Sequence, residues 1–389
     1  MTAREKFSRA VSLEPGAGAP EWEFAYWNDT VDRWYGEGLP LTRRPSRLAH
    51  AQWVAAEACP GPDVFFDRAF SDIDVRTCFG FDEGARVVGV SMGPEPPFPE
   101  QRLDEDEETF TMRSGDGKVL RIRKDGRSMP AFLDYPVKNR DDWEQMKTRF
   151  DPGSPGRFAD GWHGLRSEYA ARSFPLQMGG GNFCGFFSIL REMLGLERVL
   201  YSFYDEPDWM REMLGFFEGF YCSLYEEVLA DTDVDYVLFW EDMCFRNGPL
   251  VSPRIFRELI SPCYRRTIDM LRARGVTHFF VDTDGNPEAL LPAFIEAGVN
   301  GMYPFEVQSC PDLVDLARAY PGFVFMGGID KKALAAGPAA IDRELQKARC
   351  LLERGGYIPY TDHAVPPDVP FGHFTYYRKG LKKLLGNEA

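Results

Sequence analysis

Five apolar runs of strand length in this chain each end on acidic or histidine side chains. They read DYVLFWED (235–242), VTHFFVDTDG (276–285), VNGMYPFE (299–306), FVFMGGID (323–330) and GYIPYTDHAVP (356–366). Between them lie amphipathic stretches of helical length, such as SPRIFRELISPCYRRTIDMLRARG (252–275). Strand and helix that alternate with short connections specify a parallel sheet wrapped by helices. The expected fold class is therefore α/β, a (β/α)8 TIM barrel. In such a barrel the C-terminal strand ends converge on one mouth, and catalytic groups are carried there. Acidic and imidazole groups at five successive strand ends mark a candidate catalytic mouth.

The rest of the chain divides around that barrel. Residues 1–83 show little periodicity and many aromatics, among them Trp22, Trp27, Trp34 and Trp53. They read as an N-terminal helical arm, with a helical piece over 23–38, that packs on the barrel or plugs one end. Residues 84–389 read as the barrel with an inserted hairpin at 108–126, which alternates around Gly115-Asp116-Gly117, a turn signal of hairpins. The acidic run 104–108 reads as a solvated face. Asn139 is placed to cap a helix that starts near Asp141. The strand 174–181 runs into three glycines, and helices are expected at 183–194, 206–232, 252–274, 287–297, 311–319, 338–354 and 370–385.

Charge and composition narrow the partners. Lys plus Arg total 45 against 60 Asp plus Glu, a formal net charge of −15. A nucleic-acid partner would call for a clustered basic face, so none is expected. No apolar run approaches the roughly 18 residues of a membrane span, and the first residues lack the apolar stretch of a signal peptide. The eight cysteines include no CxxC pair and read as reduced thiols, most of them small buried hydrophobes. The expectation is a cytoplasmic protein without a membrane partner; its oligomeric state is not encoded legibly.

The strand ends carry a further pattern. The series DYVLFWEDM, NGPLVSPRIFRELISPCYRRTI, a strand ending in Asp-Gly, then GGID and GGYI…DHAVPPDVP, resembles the uroporphyrinogen decarboxylase superfamily from about 174 to 385. A weaker correspondence precedes it, in Trp27, Thr30, Trp34 and Glu37-Gly38-Leu39-Pro40, in Phe79-Gly80 and Asp82, and in the hairpin. The resemblance implies one of two chemistries: decarboxylation of a porphyrinogen, or methyl transfer involving a cobalamin-type corrinoid. The family's decarboxylase carries an RQAGR-like motif whose arginines grip carboxylates. Here Arg4, Arg9 and Arg33 stand in unrelated contexts, and the mouth is acidic where a polyanion would need cations. The resemblance therefore points to the corrinoid-dependent branch, with an O- or N-methylated small molecule as methyl donor. No DxHxxG cobalt-ligand motif occurs, so the corrinoid is expected on a separate partner protein. The alternative is a decarboxylase or lyase, metal-free or metal-assisted, acting on another small substrate.

The resemblance also implies a site. In the methyltransferase branch a zinc ion is held by a His-x-Cys-Gly element and a later Cys. Here Asp282-Thr283-Asp284-Gly285 puts Asp282 at the His position and Asp284 at the first Cys position, and His363 falls at the second Cys position. Residues 282 and 284 share a strand face by alternation. Two carboxylates and an imidazole can bind zinc or another divalent metal. Read without metal, Asp282 or Asp284 is a general acid or base, or an anionic partner for a cationic substrate. Read structurally, these groups cap helices or loop amides. Of the adjacent Glu241 and Asp242, one must face the mouth, and the family pattern favours Glu241 as the fourth catalytic candidate. Trp240, Phe245, Tyr303, Glu306 and Tyr360 are candidate substrate-binding residues, and Asp330 is a lesser one.

Overall fold

The computed structural model describes residues 1–41, 73–124, 129–159 and 161–386. Trp53 and the last two residues of the expected hairpin lie outside them. Thirteen strands among the described residues are numbered in chain order. Seven form one parallel sheet in the order β1 (Arg86–Val87), β6 (Leu176–Gly179), β7 (Tyr236–Trp240), β10 (Phe279–Asp282), β11 (Gly301–Tyr303), β12 (Val324–Met326) and β13 (Tyr357–Ile358). Chain order equals spatial order, so the sheet curls around a centre as in a (β/α)8 barrel, with helices outside. The strands β6, β10, β11 and β12 are buried at every residue. That is why they read as continuous apolar runs rather than alternating ones.

Between β13 and β1 the chain supplies something other than a laddered strand. The extended segment 20–27 runs through this gap. On one side the Glu21 carbonyl accepts from the Asp82 amide at 3.1 Å; on the other the Ala25 carbonyl accepts from Val365 at 2.8 Å. The helix expected over 23–38 is correspondingly shorter, Asn28–Glu37, and ends on Gly38 at φ 111°. Earlier in the arm the helix Ala3–Val11 drives Phe7 into the far end of the barrel. The Phe7 ring lies 5.1 Å from Tyr236 and 6.4 Å from Phe280, both at the starts of their strands.

The hairpin is the middle of a larger insert. β3 (Thr109–Arg113) and β4 (Val119–Arg123) pair as expected, but β2 (Gln101–Glu105) and β5 (Ala131–Asp134) extend them into a four-stranded antiparallel sheet. Both outer strands are largely solvent-exposed, so neither has an apolar face to alternate against a polar one. The insert is tied down by Lys118, which is buried and forms ion pairs with Asp116 at 2.9 Å and with Glu192 of the helix Phe186–Leu194. The pair β8 (Cys244–Phe245) and β9 (Gly248–Pro249) folds over the mouth. The helix expected over 252–274 contains a π-turn at Phe256–Ile260. Pro262 has no N–H for the Glu258 carbonyl, and the Ser261 amide instead reaches Phe256. No helix among the described residues is long and apolar enough to cross a membrane.

Candidate active site

Asp282 ends β10 and faces the barrel interior. It pairs in register with Trp240 of β7 and Tyr303 of β11, and register partners on neighbouring parallel strands share a face. The residue is only 8% exposed. Its carboxyl has neither hydrogen bond nor ion pair among the described residues. Burial, reinforced by the nearby charges of Asp284 and Asp242, pushes its pKa well above the ordinary carboxyl value and so favours the neutral acid. Tyr303 and Tyr360 stand in the same interior, 3% and 1% exposed. Burial raises the pKa of both phenols and keeps them protonated.

The register that orients Asp282 also settles the neighbouring pair. With Trp240 facing inward, Glu241 must face outward, and it does. It is fully buried, accepting from the amides of Phe186, Phe187 and Ser188 at 2.8–2.9 Å and from the Tyr264 hydroxyl at 2.5 Å. This caps the helix Phe186–Leu194. Gly185 is required there, because a Cβ would collide with the Trp240 carbonyl. The expectation that Glu241 lines the mouth is thus corrected: Asp242 takes that position. The chain turns at Asp242 with φ 40°, a costly conformation outside glycine. Arg191 holds the turn, donating to the Asp242 carboxylate at 2.9 Å and to its carbonyl at 2.6 Å. The same guanidinium sits 5.0 Å from the Trp240 ring centre.

Asp284 and His363 meet across the mouth, Oδ2 to Nε2 at 3.6 Å. Burial disfavours the charged ring, but Asp284 outweighs it and raises the His363 pKa. Phe24, from the arm segment, packs against both His363 (5.2 Å) and Tyr360 (6.1 Å). Glu306 accepts from the Gly285 amide at 3.0 Å and lies 3.5 Å from Lys331, which also meets the buried Asp362 at 3.3 Å. Gly285 must be glycine: a Cβ would come within 2.8 Å of the Cys244 backbone. Phe245 sits beside it on the β8–β9 turn, more than half exposed. Asp330 is not part of the mouth cluster; it caps the helix Lys331–Ala336. A cavity of about 180 Å³ opens elsewhere, between Phe305, Leu313, Ile329 and Lys347, and contains none of the mouth carboxylates.

The structure brings Asp282, Asp284, His363, Tyr303, Tyr360, Trp240 and Glu306 to one end of the barrel and leaves Glu241 outside it. Asp282, Asp284 and His363 do not form a metal-ligand set. No three His, Cys, Asp or Glu among the described residues are placed to hold a metal ion. The sequence reading missed Arg191, Lys331 and Phe24. For Phe24 a signal exists: the aromatics Trp22, Phe24 and Tyr26 recur every second residue, the period of an extended segment.

No curated protein matches the chain. Among solved structures, a methyltransferase from Methanosarcina mazei superposes with TM-score 0.60 at 12% identity, covering 98% of this chain and 99% of that one. A B12-independent methionine synthase from Shewanella sp. W3-18-1 gives TM-score 0.37 at 14% identity, over 58% of this chain and 65% of the other. At such identities the first likeness speaks to the fold alone. A sequence model of the family Uroporphyrinogen decarboxylase (URO-D) matches residues 120–383, well over half of the chain. The chain belongs to the uroporphyrinogen decarboxylase family.

Proposed function

We propose that this protein is a methyltransferase that moves a methyl group from an O- or N-methylated small molecule to a corrinoid carried on a separate protein. The observation that carries the reading is the buried, partnerless carboxyl of Asp282 at the mouth. When a methyl group leaves, its heteroatom keeps the bonding pair and needs a proton or a hydrogen bond at that moment. A carboxylic acid that burial holds toward its neutral form supplies either one. Two further groups prepare the mouth: Arg191 fixes Asp242, and Asp284 holds His363 toward its charged form. The fold likeness to the M. mazei methyltransferase over nearly the whole of both chains supports the same reading.

As methyl acceptor the corrinoid is a co-substrate, and when bound it supplies a strong nucleophile. The chain's own residues then have two tasks, to align the methyl group and to stabilise the charge on the departing atom. The test is anaerobic. Protein, reduced corrinoid and a panel of O- and N-methyl donors are mixed, and the corrinoid spectrum is followed. The expected result is donor-dependent methylation that Asp282→Asn slows roughly 100-fold. Absence of methylation with every donor, together with carbon dioxide release from a carboxylic acid, would assign the site to decarboxylation instead.

A further inference from the structure

Asp282 is not the only polar group at the mouth without a partner. The hydroxyls of Tyr303 and Tyr360 also make no hydrogen bond among the described residues, although both residues are almost fully buried. Tyr236, in the same interior, gives its hydroxyl to Gln177 at 2.6 Å. None of the three polar tips is among the side-chain atoms sealed from solvent without a partner, so they border open interior space where water or a ligand can bond them. Three such groups in one place are a stronger observation than one. They do share a place: Asp282 and Tyr303 are register partners on β10 and β11, and Asp282 acts electrostatically on both tyrosines. Beside them Phe24 lies nearly parallel to the Tyr360 ring, at 27°, and offers a wall for a flat aromatic ring.

We propose that Asp282, Tyr303 and Tyr360 form an oxyanion hole for the oxygen of an aryl methyl ether, so that the methyl donor is an O-methylated phenol rather than a methylated amine. The inference rests on the methyl-transfer reading and narrows it. In the step, the methyl C–O bond breaks and its electron pair stays on oxygen. The reduced corrinoid supplies the pair for the new bond to the methyl carbon. The phenolate oxygen left behind accepts hydrogen bonds from the three O–H groups and takes a proton from water on release. The surrounding charge permits an anion, because Asp242 is matched by Arg191 and Asp284 by His363. A tetraalkylammonium has no acceptor atom and would leave all three O–H groups unpartnered.

Binding to the full chain tests the hole, with 4-nitrophenol and tetramethylammonium as probes and Tyr303→Phe and Tyr360→Phe as variants. Thermal melts confirm that both variants fold. The expected result is that 4-nitrophenol binds with its absorbance shifted toward the phenolate, that each variant binds it about tenfold more weakly, and that tetramethylammonium does not compete. Failure of 4-nitrophenol to bind, tighter binding of tetramethylammonium, or unchanged affinity in both folded variants overturns the proposal. The transfer step is read separately with 4-nitroanisole and reduced corrinoid. Tyrosine-dependent binding of 4-nitrophenol without any methylation would support the hole and overturn the methyl-transfer reading.

Discussion

A carboxyl that is buried without a partner ties Asp282 to pH in a definite direction. Its folded pKa lies well above the ordinary value, through burial first and then the like charges of Asp284 and Asp242. The folded protein therefore holds a proton that the unfolded chain has lost, and stability falls as pH rises. The contribution is fully present below the unfolded carboxyl value and is lost as pH climbs toward the folded one. Asp282→Asn, which cannot ionise, should melt like wild type at about pH 4 and higher than wild type at about pH 8, where each unit of the window is worth about 1.4 kcal/mol. The same variant should lower kcat roughly 100-fold, since an amide N–H is a weaker hydrogen-bond donor to a developing oxyanion than a carboxylic O–H. Melts that run parallel at all pH values would show that Asp282 is ionised in the fold. Glu241 gives the opposite contrast. Glu241→Ala strips the acceptor from three helix amides and the Tyr264 hydroxyl. It should cost about 2–4 kcal/mol in denaturant melts.

At the scale of elements, what the sequence makes legible follows from how local its cause is. The parallel strands and their acidic ends could be read directly, because strands buried on both faces are continuous apolar runs. The helix Pro338–Arg354 falls on its expected span, ending before a glycine pair. Register is different in kind. Whether Glu241 or Asp242 meets the mouth depends on β7 pairing Trp240 with Asp282 of β10, a relation between residues 42 positions apart that no local pattern contains. The segment 20–27 was legible from its alternating aromatics, but the stronger helical pattern downstream masked it. The outer strands of the insert left no pattern, since both are exposed. Among the ties of this sheet to the barrel is the buried ion pair of Lys118 with Glu192, which Asp116 joins from the hairpin turn. Lys118→Met leaves Glu192 buried beside Arg191 without its lysine, and the expected cost is about 3–5 kcal/mol. A variant as stable as wild type would show that the insert is held by its apolar face alone.

Across the whole molecule the arm does two separate jobs at opposite ends of the barrel. Phe7 fills the barrel between Tyr236 and Phe280 at the strand starts. Phe24, one extended stretch later, reaches His363 and Tyr360 at the strand ends. The chain between them occupies the gap beside β13, so the arm is both a stave of the wall and a plug. These roles predict effects that separate cleanly. Phe7→Ala opens a cavity in a packed interior, and large-to-small changes of this kind cost about 3–5 kcal/mol. The protein that remains folded should bind 4-nitrophenol as wild type does. Phe24→Ala removes only a partly buried ring, so its melting should change little, by about 1 kcal/mol or less. It should nevertheless weaken 4-nitrophenol binding several-fold, because one aromatic face is worth about 0.5–1.5 kcal/mol. Denaturant melts and equilibrium binding on the two variants decide the matter. If Phe7→Ala weakens binding as much as Phe24→Ala does, the two ends of the arm are coupled, and the division of labour is wrong.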